Sequence, residues 1–110
     1  MIKKEDLFKI QLKTKVVDLG AGSISIKEFT TSAREQFEML AVKMQKGNAK
    51  NMKAKLIAMS CINDNGTRYF GDDEIDKISE LPSNITEILF NEILEINGMG
   101  VDAIGDAEGN

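Results

Sequence analysis

Residues 23–44, SISIKEFTTSAREQFEMLAVKM, decide the fold because their hydrophobic period changes from that of a strand to that of a helix. Ile24 and Ile26 alternate with polar residues, as in a strand with one buried face. Ser32 and Glu35 then have the spacing of a capping box, in which each side chain satisfies the other's backbone N–H group. Apolar residues recur at helical spacing after that pair. The stretch therefore predicts a strand followed directly by an amphipathic helix.

A second alternating run precedes this stretch and predicts a β-hairpin. Ile10, Leu12 and Val16 fall on alternate positions with polar or basic residues between them. This pattern predicts a strand whose buried face carries those three side chains. Glycines at positions 20 and 22 interrupt the alternation before it resumes. We therefore expect an antiparallel hairpin over about residues 10–29, with its apolar face covered by helices because a lone hairpin is marginal in water.

Three more helices are predicted downstream. The apolar residues of segment 52–62 surround nearly the whole helical circumference, which predicts a central helix. An Asn-Gly turn at 64–67 separates it from a short helix that the acids of 72–74 open. A last helix over 83–97 ends at Gly98, which can adopt the left-handed conformation of a terminator.

These elements together predict an α+β fold, mainly α, with an N-terminal β-hairpin followed by a compact bundle of about four helices. At 110 residues the chain has the usual size of one domain. We expect residues 1–98 to form a single hairpin-plus-helices domain. Residues 99–110 are acidic and punctuated by glycine, so we expect a flexible tail there.

Four apolar residues fall outside the narrowest core stripes and are candidates for partner binding. Met39 and Val42 project from the opposite side of the first long helix, either as stray exposed residues or as a contact site. Phe90 and Leu94 widen the apolar arc of the last helix beyond what one neighbour covers. That helix is therefore either wedged within its own domain or in contact with another molecule. The predicted partner-binding residues are Met39, Val42, Phe90 and Leu94.

The charges are segregated along the chain. Residues 1–70 hold thirteen of the fourteen Lys and Arg residues against seven acids, and residues 71–110 hold eleven acids against one lysine. Such a split steers encounters with partners and does not determine the fold. Five lysines between Lys43 and Lys55 indicate either a solvated basic face or a nucleic-acid-binding segment. Because the net charge is −4 and no aromatic residues are interleaved, we expect no nucleic acid partner.

No residue pattern indicates catalysis, a cofactor or a metal site. The chain has no histidine and one cysteine, Cys61, so histidine-based general bases, Ser-His or Cys-His pairs and thiolate metal clusters are excluded. The acids at 72–76 are explained by a helix start. The Asn-Gly segment fails the register of a calcium loop. We expect no enzymatic activity and no cofactor or metal.

Cysteine usage and hydropathy favour a cytoplasmic protein. A single cysteine forms no internal disulfide, which fits a reducing compartment. No apolar run approaches the roughly twenty residues needed to span a bilayer. We therefore expect no membrane partner.

The succession of motifs is similar to that of a known family. The motifs are SISIKEFT at 23–30, SAREQFE at 32–38, a lysine-rich link, LIAMSC at 56–61, an Asp-Asn-Gly turn, YF at 69–70, DDEI at 72–75 and EINGMG at 95–100. In order and spacing they resemble the tail assembly chaperones of long-tailed bacteriophages and prophages, the lambda-like tail assembly chaperone family. The likeness covers roughly residues 10–100 and consists of strands, caps and turns, without a catalytic signature.

The resemblance implies a non-enzymatic protein that binds the tape measure protein and keeps it soluble during tail tube assembly in the host bacterial cytoplasm. It implies absence from the mature virion, and recruitment of the tail tube protein by a form that a ribosomal frameshift extends. Charge segregation adds an expectation of self-association or docking. The alternative is a small phage or prophage regulatory protein that binds nucleic acid through the Lys43 to Lys55 basic segment.

Overall fold

A computed structural model describes residues 1–47 and 51–100 and has an α+β fold that is mainly α. The strands are β1 (Thr14–Asp18), β2 (Ser23–Lys27) and β3 (Cys61–Ile62). The helices are α1 (Lys4–Leu7), α2 (Thr31–Gln45), α3 (Met52–Ser60), α4 (Ile75–Ser79) and α5 (Ser83–Ile96), with a 3-10 turn at Asp72–Glu74 before α4. The predicted fold class, a hairpin followed by a helical bundle, is confirmed.

The hairpin forms, but it is shorter than predicted and turns its other face to the core. The sheet has three antiparallel strands in the order β1-β2-β3. Val17 and Ile26 are buried, whereas Ile10, Leu12 and Val16 are exposed. The prediction that the latter three line the buried face is wrong. The alternation starts at Ile10, but β1 starts only at Thr14 and buries Val17. In a strand, a shift of one residue exchanges the buried and the exposed face.

α2 begins before the predicted capping box. Thr30 is the N-cap, and its hydroxyl oxygen accepts a hydrogen bond from the backbone N–H of Ala33 at 3.1 Å. Ser32, the predicted cap, lies within the first turn. Phe37 and Ala41 are buried, as the helical spacing predicts. The helix and its inner stripe are confirmed, whereas the identity of its cap is corrected.

The predicted central helix ends at Ser60, and the two residues that follow it form β3. Leu56 and Ile57 have no exposed surface, so the helix is central as expected. Cys61 pairs with Ile26 of β2, which extends the hairpin to a third strand. Gly66 has a φ of 87° in the tight turn that follows, which is the positive angle that the Asn-Gly pair predicts.

The core consists of two hydrophobic clusters on either side of α3 and α5. The first cluster joins the hairpin to these helices, and the second joins them to α2. The buried members of the second cluster are Phe37, Met52, Leu56, Phe90 and Leu94. Phe90 is 4 % exposed and Leu94 has no exposed surface, so the prediction that they face a partner is corrected. The wide apolar arc of α5 reflects two neighbours within the same domain.

The end of α5 follows the prediction. Gly98 adopts a φ of 71°, and the backbone N–H of Met99 donates to the carbonyl of Leu94 at 2.8 Å. The Met99 side chain packs against the second cluster. Positions 101–110 of the predicted tail lie outside the described residues. Among the helices that the structure describes, none combines the length and apolar composition needed to cross a membrane.

Candidate functional site

An apolar groove lies between α2 and α3 and is bounded by the 3-10 turn and α4. The groove encloses about 280 Å³. Its apolar lining comes from all three helices and consists of Met39, Leu40, Ala58, Met59 and Ile75. Methionine side chains are unbranched and polarizable, and so adapt to irregular apolar partners. The groove can therefore accept the apolar face of a peptide segment.

α2 supplies both the core and the groove because it has two apolar faces. Phe37 and Ala41 are buried, whereas Met39 is 60 % exposed. Met39 and Lys43 are four residues apart, so they project from the same side of the helix. The core side therefore anchors α2, while the other side stays open to solvent along the groove.

A basic rim surrounds this apolar lining. Lys43 and Lys55 border the groove from α2 and α3, and Arg68 borders it from the segment after the tight turn. The Nη1 of Arg68 lies 2.9 Å from the Oδ1 of Asp72, and its Nε donates to the carbonyl of Ala58 at 3.4 Å. Among the described residues that line the groove, Asp72 is the one carboxylate. The rim therefore favours a partner that carries acidic side chains beside its apolar ones.

The groove continues along α2 into a more polar trough of about 380 Å³. The two cavities share Gln36, Met59, Arg68 and Asp72 in their linings. Together they follow α2 from Ser32 to Lys43. At 1.5 Å per residue this span is about 16 Å, or about three turns of a bound helix.

The structure separates the four residues that the sequence predicts as partner-binding. Met39 lines the groove. Val42 is 42 % exposed on the same helix but is not among the groove's lining residues. Phe90 and Leu94 belong to the core, as described above. The partner-binding role of Met39 and Val42 stays a prediction.

Sequence reasoning missed two important members of the groove. The apolar residues of segment 52–62 predict a central helix without singling out Met59, which is only partly buried and lines the groove with residues of α2. Arg68 reaches the groove because the turn at 64–67 folds the chain back, as shown by the bridge between Ile62 and Arg68. The helical period of α3 indicates the position of Met59, but no local pattern indicates that of Arg68.

The lysines of the basic segment point to different surfaces of the domain. Lys43 and Lys55 border the groove. Lys53 lies on the side facing α5, where its Nζ is 2.6 Å from the Oε2 of Glu87 and 5.1 Å from the centre of the Phe90 ring. Lys50 lies outside the described residues. The described lysines therefore do not form one continuous basic face.

The shifted pKa values of two titratable groups follow from burial and from pairing. The Cys61 thiol is buried, and burial raises its pKa to about 12, so the nucleophilic thiolate is strongly disfavoured at neutral pH. Lys15 forms an ion pair with Glu92, and the hydrogen bond between them raises the pKa of Lys15. Within residues 1–47 and 51–100 no three His, Cys, Asp or Glu side chains converge on a possible metal site.

Comparisons with family models, curated proteins and solved structures gave no match to this chain. The function of the groove is therefore inferred from its shape, lining and charge. Its open apolar floor, its two methionines and its basic rim together suit a polypeptide ligand.

Proposed function

We propose that this protein is a phage tail assembly chaperone that binds the tape measure protein and keeps it soluble during tail tube assembly. It acts by binding alone, in the cytoplasm of the host bacterium, and is not part of the mature virion. The observation that carries the proposal is the groove between α2 and α3, with Met39 and Met59 on its sides. The resemblance in motif order supports the choice of client.

The shape of the groove supports a helical client. A long, largely helical client exposes apolar stripes, and an amphipathic helix docks by inserting side chains at positions i, i+3 or i+4, and i+7. The groove and trough accommodate about three turns. Met39 and Met59 adjust their rotamers to successive client segments that differ in shape. One chaperone can therefore protect many segments of a long client.

The rim supports selection by charge. Lys43 and Lys55 favour client helices with Glu or Asp flanking the apolar stripe, whereas Arg68 is already paired with Asp72. Such contacts mainly raise the association rate and set orientation, because exposed ion pairs contribute little affinity. Burial of apolar surface in the groove supplies most of the binding free energy.

The test is the affinity for a helical tape measure fragment, measured by copurification and by fluorescence anisotropy. Complete burial of a Met side chain is worth about 1.5–3 kcal/mol. Met39 leaves 60 % of its surface to be buried by a client. Met39→Ala should therefore cost about 1–2 kcal/mol, which weakens binding about 5- to 30-fold.

Ile88→Ala is the control, since Ile88 is an exposed apolar residue on α5 and lies off the groove's lining. Its affinity should equal that of the parent. Equal affinities for parent and Met39→Ala, with both proteins folded, would show that the groove is not the client site.

The regulatory alternative, binding of nucleic acid through the Lys43 to Lys55 segment, stays a prediction. The salt dependence of binding distinguishes it from client binding. Phosphate binding by several lysines falls steeply with salt concentration because counterions are released. Client binding through apolar burial should change little over the same range. Recruitment of the tail tube protein by a frameshift-extended form also stays a prediction.

A further inference from the structure

Two exposed apolar residues, Val16 within β1 and Leu12 just before it, are not covered by the described part of the chain. Leu12 and Val16 are exposed, and Val16 shows 66 % of its surface. Both belong to the alternating pattern that is typical of a strand with a buried face. The domain buries Val17 instead, on the other side of β1. The alternation at Leu12 and Val16 is thus left without a covering surface among the described residues.

The same strand has an open backbone edge. β1 pairs with β2 on one side only, since it is the terminal strand of the described sheet. The backbone N–H of Glu28 donates to the Lys13 carbonyl, and that of Leu19 donates to the Gly22 carbonyl. Because hydrogen-bonding directions alternate along an antiparallel strand, the N–H and C=O groups of Thr14, Val16 and Asp18 point away from β2.

We propose that two copies of this chain pair through β1, antiparallel about a two-fold axis at Val16, so that their sheets become continuous. An exposed strand edge is a template for adding another strand. A two-fold axis pairs the same edge with itself and leaves no β1 edge open. At the far side of each sheet, the bridge between Ile62 and Arg68 covers part of the β3 edge. Pairing therefore stops at a dimer.

The side chains favour this register and a second copy as the occupant. With Val16 opposite its own symmetry mate, Thr14 faces Asp18 and Lys15 faces Val17, so no like charges meet. A register centred on Lys15 would place two lysines directly opposite each other, which is destabilising. The strand edge is thus complementary to itself in hydrogen bonding, and this register brings no like charges together. This pairing does not depend on the proposed function, because β1 contributes no residue to the groove.

The first experiment measures mass in solution by sedimentation velocity over a dilution series. The parent should show twice the monomer mass at high concentration and dissociate on dilution. Val16→Lys places a charge at the centre of the edge and should abolish the dimer without unfolding the monomer, since the position is exposed. Met39→Lys introduces the same charge in the groove and should leave the dimer intact. Val16→Lys should leave client binding unchanged, whereas Met39→Lys should weaken it.

The second experiment tests the register by oxidation of cysteine variants. Val16→Cys should form a disulfide-linked dimer rapidly, because directly hydrogen-bonded residues have Cα atoms about 5.5 Å apart, within the range of a disulfide. Lys15→Cys should cross-link more slowly. The native Cys61 is buried and does not compete. A parent that is monomeric at every concentration, a dimer that survives Val16→Lys, open-ended polymers, or faster cross-linking at position 15 would overturn the proposal.

Discussion

Truncation of Phe90 decides whether this ring belongs to the core or to a partner surface. Phe90 is 4 % exposed within the second cluster, and Lys53 lies 5.1 Å from its ring centre. Replacing a buried Phe by Ala typically costs about 3–5 kcal/mol, and the lost cation–π contact adds about 0.5–1 kcal/mol. Phe90→Ala should therefore remove at least about 3 kcal/mol from the free energy of unfolding. For a domain of this size the midpoint should fall by at least about 12 °C.

The assay is urea and thermal unfolding followed by circular dichroism, with the slope m compared between variants to confirm that the same surface unfolds. Met39→Ala is the control, because substitutions at exposed sites usually change stability by less than about 0.5 kcal/mol. A Phe90→Ala protein that loses less than about 1 kcal/mol at an unchanged m would refute the packing of α5 described above.

Three further predictions concern the sheet, the helix end and the thiol. Val17→Asp should unfold the protein and Val16→Asp should leave the monomer folded, as measured by circular dichroism, because only Val17 is buried; the reverse order would contradict the strand's orientation. The Asn97 side chain accepts from the backbone N–H of Phe29 and donates to a carbonyl of α5, each at 2.8 Å. Asn97→Ala should therefore cost about 1–3 kcal/mol in urea unfolding, and a neutral result would exclude this link. The Cys61 thiol should react with a thiol reagent slowly in native buffer and quickly in urea, because its pKa is raised to about 12; rapid native labelling would contradict its burial.

The types and order of the main elements were predictable from local sequence patterns. Alternation, the spacing of apolar residues in α2 and the Gly98 terminator each depend on neighbouring residues alone, and the structure contains the corresponding elements. The buried side of β1 was not predictable in this way. Alternation continues from Ile10 through a segment that lies outside the strand, and the face is set by contacts with α5 and β2.

The candidate site was predictable only in part. An apolar residue outside a narrow stripe can face solvent or a second neighbour in the same domain, and the helical period alone does not distinguish them. Met39 proved to be the first case and Phe90 the second. The place of Arg68 in the rim depends on the chain reversal after α3, which brings residues from different segments together.

The most direct test of the groove is an NMR titration of protein labelled at its six methionine methyl groups with the helical tape measure fragment. Met39 and Met59 line the groove. Met1 is exposed at the start of the chain, and Met52 is buried in the core. The signals of Met39 and Met59 should shift or broaden as the fragment is added, and those of Met1 and Met52 should stay in place. Unchanged signals from both groove methionines in a protein that binds the fragment would contradict the proposed site.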